Sequence, residues 1–254
     1  MNTVTHTFIN DLNTQIAVPN NHMLYATFID RIYSEPYFRK IHSYFFANDM
    51  ISGNVFDAGC WIGDNSIPWS KMTQHLIYAI DPSPRNCSFV QLLAEINNIS
   101  NISVHNIGLS RYDTKLSTHH DIDHAPFEYG TKGTNIIDAV AIDNMAEKAL
   151  IENLACIHLD VEGMECEVIL GGMSTINKYS PIISFEQHIE TDKYQDIDMI
   201  LSKSNYQTFM INESLSGCRY DCRNFIAIPK HIFRDSLIED INVFCKTRNI
   251  LLRI

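Results

Sequence analysis

Two clusters of residues have types and spacings that could do chemistry. The first is the turn Asp57-Ala58-Gly59-Cys60-Trp61-Ile62-Gly63-Asp64-Asn65-Ser66, which follows the apolar run Asn54-Val55-Phe56. Glycine adopts conformations that a β-carbon forbids, so Gly59 and Gly63 mark a loop able to lie close to a ligand. The turn leads into a helix start, whose free N–H groups favour a carboxylate. The spacing is not Gly-x-Gly-x-x-Gly, the pattern that wraps a pyrophosphate. Instead an acid, Asp57, precedes the turn. An acid there repels pyrophosphate and suits an ammonium. Asp81 lies 24 positions after Asp57, at the end of the next apolar run, where an acid accepts hydrogen bonds from ribose hydroxyls. Either acid alone reads as an ordinary loop acid. Together they point to a nucleoside joined to an amino acid, a description that S-adenosylmethionine meets. The same spacing disfavours a nicotinamide-dependent oxidoreductase.

The second cluster lies later in the chain. Asp160 ends the apolar run Cys156-Ile157-His158-Leu159 and is followed by Glu162. Glu186 and His188 end the run Pro181-Ile182-Ile183-Ser184-Phe185, and their spacing of two puts both on one face of a strand. Groups of these types remove protons, or supply oxygen and nitrogen ligands to magnesium or a similar ion. The seven cysteines are scattered mostly through apolar runs and read as reduced thiols. Cys218 and Cys222 are the one close pair. Zinc needs four ligands, and no second pair sits nearby in sequence, so these two read as loop or strand thiols and no metal site is assigned. The stretch Ser117-Thr118-His119-His120-Asp121-Ile122-Asp123-His124 reads as a solvated loop that could cover a substrate.

These residues need elements to hold them. Short apolar runs at 54–57, 76–80, 102–107, 139–142, 156–161 and 181–186 alternate with helical patterns such as 89–96, 144–153, 164–170 and 197–203. Such alternation implies a parallel sheet covered on both faces. Gln207–Ile211 and Asn224–Ile228 follow without a helix between them and read as an antiparallel pair. The expected fold is therefore a doubly wound, Rossmann-like α/β sheet. It has seven mostly parallel strands, a C-terminal antiparallel pair, and helices on both faces. Ligands in such sheets sit at the carboxyl ends of the strands, where the acids and glycines fall. Residues 1–50 are expected as an N-terminal helical cap, broken near Glu35-Pro36. Residues 51–230 are expected as the main domain, and 231–254 as a helical tail. Residues 111–135 read as a long polar loop.

Five segments in order resemble the FkbM family of methyltransferases, over roughly residues 50 to 230. They are Val55 to Ser66; Ala79-Ile80-Asp81-Pro82-Ser83-Pro84; Asn106-Ile107-Gly108-Leu109-Ser110; His158-Leu159-Asp160-Val161-Glu162-Gly163-Met164-Glu165; and Ile182-Ile183-Ser184-Phe185-Glu186-Gln187-His188. The resemblance implies methyl transfer from S-adenosylmethionine to a hydroxyl of a sugar, glycan or small metabolite. It implies cofactor contacts from Asp57, Gly59, Cys60, Trp61, Gly63, Ser66, Asp81, Pro82, Gly108, Leu109 and Asp160, with Gly108 and Leu109 bordering the adenine. The ends of the strands that carry Asp160, Glu186 and His188 converge over the methyl group in this topology, so His188 or Asp160 is the expected general base, with Glu186 orienting or polarising. Two departures stand out. Cys60-Trp61 replaces the family's Ala-Asn, and His158 replaces a frequent Lys.

The 254 residues are 45% apolar and carry a formal charge of −11. Nucleic-acid binders draw most of their affinity from basic faces, so neither RNA nor an anionic membrane is an expected partner. No apolar run is long enough to span a bilayer, and the start of the chain lacks a signal-peptide pattern. A cytoplasmic, soluble enzyme is expected. The alternatives are an N-methyltransferase or RNA-cap-type methyltransferase, and a degenerate cofactor-binding module in which Cys60-Trp61 marks lost activity.

Overall fold

The computed structural model describes residues 5–9, 13–122, 126–148, 151–215 and 218–254. The chain opens with β1 (Thr5–Ile9) and β2 (Gln15–Pro19), paired antiparallel. The patterning predicts helix here; a hairpin precedes the two helices, which are α1 (Tyr25–Ile32) and α2 (Pro36–Ala47). The break between them is at Glu35, in left-handed backbone ahead of Pro36. Next come β3 (Asn54–Ala58), α3 (Ser66–Ser70), β4 (Ile77–Ile80), α4 (Pro84–Ile96) and β5 (Ile102–His105). After β6 (Gly108–Leu109), β7 (Thr114–Thr118), β8 (Glu128–Tyr129) and β9 (Asn135–Val140) come α5 (Ile142–Lys148), β10 (Leu154–Leu159), α6 (Glu165–Leu170), α7 (Met173–Tyr179) and β11 (Ile182–His188). The chain closes with α8 (Tyr194–Lys203), β12 (Tyr206–Ile211), β13 (Cys222–Pro229), α9 (Asp235–Cys245) and β14 (Leu251–Arg253).

The main sheet has eight strands in the order β5-β4-β3-β10-β11-β13-β12-β14. From β5 to β11 the pairing is parallel. β13 lies antiparallel to both β11 and β12. The eighth strand corrects the expected seven: the tail does not end in helix but adds β14 to the edge, against β12. The region 111–135 is also not one loop. β7 and β8 join β6 and β9 in a separate four-stranded sheet. β7 and β8 fall within the polar stretch, and the run read at 139–142 supplies the end of β9 and the start of α5 rather than a strand of the main sheet.

Successive residues of a strand face opposite sides, and the core divides accordingly. Phe56, Ile157, Ile183 and Phe185 pack with Ile142, Val168, Ile176 and Leu201 of the helices on one face. Val55, Cys156 and Ile182 pack on the other with Phe38, Ile41 and Phe45 of α2, Trp69 of α3 and Leu237 of α9. α1 and α4 cover the flank beside β4. No helix of the described residues is long and apolar enough to cross a membrane.

Candidate active site

The carboxyl ends of β3, β4, β10 and β11 open into one cavity. Its wall includes Gly59, Trp61, Asp81, Pro82, Gly108, Leu109, Asp160, Glu186 and His188. Thus nine of the residues expected from sequence meet around one space. Asp57, Cys60, Gly63 and Ser66 do not line it, and strand periodicity explains the first. Asp57 shares a face with Val55, beneath α2 and α3. It is fully buried. Ser66 Oγ donates to its Oδ2, and its Oδ1 pairs with Nδ1 of His158 at 2.8 Å. His158 is its direct neighbour across β3 and β10, and Ser184 is the next residue along the same row. His158 therefore partners the acid that the sequence had pointed towards an ammonium. Cys60, Gly63 and Ser66 shape the loop from behind.

Two contacts fix that loop. A β-carbon on Gly59, at φ +73, would come 1.7 Å from the carbonyl oxygen of Asp160; the β3 and β10 loops touch backbone to backbone, and only glycine fits. The second contact is Arg39 of α2. Its guanidinium donates to Oδ2 of Asp64 at 2.7 Å, the Asp64 carbonyl at 2.6 Å and Oδ1 of Asn65 at 2.7 Å. It also reaches the carbonyls of Arg31 and Ser34. One buried cation thus ties α1, α2 and the loop together. Nothing near residue 39 in the sequence signals this.

Asp81 sits beside the loop. Its Oδ2 accepts from the Trp61 N–H at 2.9 Å, and its Oδ1 from the Ser83 N–H at 2.8 Å and Asn86 Nδ2 at 3.3 Å. A carboxylate has about four lone-pair sites, so room remains for a ligand hydroxyl. Burial pushes this carboxyl up to about 6, against the lowering effect of the Ser83 and Trp61 bonds. Beyond Asp81 the wall turns apolar, with Ile107, Leu109, Leu116, Ile122, Phe127 and Ile137. Leu116 and Ile137 come from the small sheet, so the stretch read as a loop supplies one side of a slot. His119 and His120 of that stretch are exposed, and Asp123 and His124 lie outside the described residues.

The opposite end of the cavity is crowded with acids. Burial raises the Asp160 carboxyl well above the usual range, and the charges of Glu186, Glu162, Glu165 and Glu35 raise it further. Glu165 shapes this end without lining it. Its Oε1 accepts from the Val161 and Gly163 N–H groups, and its Oε2 from Gln187 Nε2 at 2.8 Å. Glu186 and His188 come together with Cys218 and Cys222, one ligand atom from each lying within 4.8 Å of the others. Asp160 is not in that group, and two sulfurs do not suit magnesium, which takes oxygen ligands. Magnesium at Asp160, Glu186 and His188, an alternative that the residue types allow, finds no support in this arrangement.

The methyltransferase FkbM domain family matches residues 58–208, more than half of the 254 residues. The chain belongs to that family. No curated protein matches it. Among solved structures, methyltransferase FkbM from Methylobacillus flagellatus KT is 18% identical, with a TM-score of 0.49; the match covers 68% of this chain and 43% of that one. An rRNA methylase from Streptococcus thermophilus is 10% identical, covering 72% of this chain and 93% of its own, with a TM-score of 0.45. A Pyrococcus abyssi tRNA (uracil-54, C5)-methyltransferase in complex with S-adenosyl-L-homocysteine is 12% identical, covering 88% and 43%, with a TM-score of 0.42.

Proposed function

We propose that the protein moves a methyl group from S-adenosylmethionine to a hydroxyl of a sugar, glycan or other small hydroxylated acceptor. One observation carries the reading. The cavity wall holds six acidic side chains, Glu35, Asp64, Asp81, Asp160, Glu162 and Glu186, against one guanidinium, Arg31, with Asp64 already paired to Arg39 behind it. Such a wall repels a pyrophosphate and attracts a ligand with a sulfonium and an ammonium. The lining fits that cofactor along its length. The slot at Leu109, Leu116, Phe127 and Ile137 takes a flat apolar base, Asp81 takes ribose hydroxyls, and the acids take the cationic end. When bound, S-adenosylmethionine supplies an electrophilic methyl group.

The chain's own part is to bind, align and hold a proton. Gly59 sets the cofactor loop against the Asp160 carbonyl. Asp160 takes the proton of the acceptor hydroxyl, and Glu186 and His188 bound the acceptor beside it. A base with raised proton affinity suits that task near neutral pH. The acidic wall also disfavours phosphorylated acceptors, RNA among them.

Calorimetric titration with S-adenosylmethionine and S-adenosylhomocysteine tests the reading. Wild type is expected to bind both. Asp81→Ala is expected to bind about ten- to a hundredfold more weakly, the loss of hydrogen bonds to a charged group. No binding of either ligand by wild type would sink the proposal.

A further inference from the structure

Sequence spacing leaves Cys218 and Cys222 as an incomplete pair, and the sheet completes it. β11 and β13 run antiparallel with His188 directly opposite Cys222 and Glu186 opposite Asn224. Glu186 and His188 share one face of β11. Cys222 is the first residue of β13, and Cys218 comes from the segment just before it. The four side chains converge, each offering a ligand atom within 4.8 Å of the rest. Cys222 is fully buried, and the other three line the acid end of the cavity.

Local detail points to a cation. Cys218 Sγ is 3.7 Å from Oε1 of Glu186. The edge between a sulfur and an oxygen of a tetrahedron around zinc is about 3.6 Å, from the usual zinc–sulfur and zinc–oxygen distances. Nδ1 of His188 is shut away from solvent with no hydrogen-bond partner, and so is Oδ1 of Asp221, 3.5 Å from it. A metal-bound imidazole is ordinarily oriented by an outer carboxylate, and Asp221 stands where that carboxylate belongs. Two thiolates, an imidazole and a carboxylate form a borderline-soft set that selects zinc over magnesium or calcium.

We propose that Glu186, His188, Cys218 and Cys222 bind one zinc ion in the wall of the cavity. The ion joins the segment that leads into β13 to the end of β11. Binding releases the two thiol protons to solvent, and the thiolates and the Glu186 carboxylate together exceed the charge of the ion by one. With four protein ligands the site is closed, so the ion shapes the acceptor end and leaves proton removal to Asp160. The proposal does not depend on methyl transfer, and titration of the same sample with S-adenosylmethionine reads that question separately.

The test uses the full chain, stripped of metal with chelator under reducing conditions, and titrated with Co2+ as a spectroscopic stand-in. One equivalent is expected to give an intense sulfur-to-cobalt charge-transfer absorption that Zn2+ abolishes by displacement. The band should weaken in C218S and vanish in the C218S/C222S double variant. Zn2+ should raise the melting temperature of wild type but not of the double variant. A wild type with no stoichiometric band overturns the proposal, and needs no variant to fold. So does a band that persists in the double variant. His188→Asn keeps both thiols and tests the ring: an unchanged band position and affinity for Co2+ would remove His188 from the site and overturn the four-ligand assignment.

Discussion

The β3–β4 end of the cavity and the β10–β11 end are built differently. At the first, the charged groups Asp57, Asp81 and Arg39 already have protein partners. Asp81 holds three donors, Asp57 holds Ser66 and His158, and Arg39 spreads over Arg31, Ser34, Asp64 and Asn65. At the second, acids crowd one another around Asp160, and His188, Asp221 and Asn224 each bury a polar atom that has no hydrogen-bond partner. Buried polar atoms are ordinarily satisfied. The first end therefore resembles a finished mould, and the second one completed by what binds there. A shared cofactor suits the former. A particular acceptor, held beside a particular ion, suits the latter.

Four experiments would break or sharpen this contrast. The largest effect belongs to the acceptor end. Asp160→Asn should cut turnover about a hundred- to ten-thousandfold, the usual contribution of a general base, while the Kd for S-adenosylmethionine rises far less, because Asp160 is one of several acids at the cofactor's cationic end. Comparable losses in both would mean that the two ends are not separable. Next, Arg39→Met should cost about 3–5 kcal/mol of stability, because it leaves buried partners without their cation. A urea midpoint close to wild type would show that the mould does not depend on its clamp.

A third, smaller effect follows from Asp81. Its carboxyl titrates at about 6, above its unfolded value near 4. It is ionised above that pH and loses its charge as pH falls through it. The Kd for S-adenosylmethionine should then rise by up to about tenfold per pH unit below 6, and Asp81→Asn should flatten the profile. The smallest concerns the core. Burial holds His42 down to about 3, although its bond to the Phe38 carbonyl works the other way. The ring stays neutral between Phe38, Ser184 and Trp69. A depressed imidazole contributes stability that is complete above its unfolded value near 6.5 and declines as pH falls towards 3. The slope is about 1.4 kcal/mol per pH unit. His42→Gln should show a shallower loss of stability between pH 6.5 and 5 in urea titrations, and an unchanged slope would assign the acid sensitivity elsewhere.

Sequence reading reached as far as local order reaches. Strand ends carry their chemistry with them, so Gly59, Asp81, Asp160 and Glu186 were legible as a set once the strands alternated with helices. Asp57 shows the limit. Its type and place were plain, but its partners Ser66 and His158 depend on which face of β3 is covered by α2 and α3. The small sheet was hidden because β7 and β8 lie in a polar stretch, and only the pairing of β9 with β6 and β7 shows which sheet its apolar residues join. The cluster at Cys218 and Cys222 was hidden for a different reason. Its second half lies some thirty residues upstream, and only the antiparallel register of β11 and β13 brings it near. Arg39 left no pattern at all, since its partners are mostly backbone carbonyls.

That clamp has a consequence for where the working unit begins. The family match starts at residue 58, and the main sheet starts at Asn54. A fragment cut at Asn54 would keep every strand of the main sheet and lose the side chain that immobilises Asp64 and Asn65. It would also strip Phe38, Ile41 and Phe45 from Trp69 and Val55. Homology and side-chain contacts draw different borders in this molecule. The span matched by the family is shorter than the span whose side chains hold the cofactor loop, since Arg39 lies outside it.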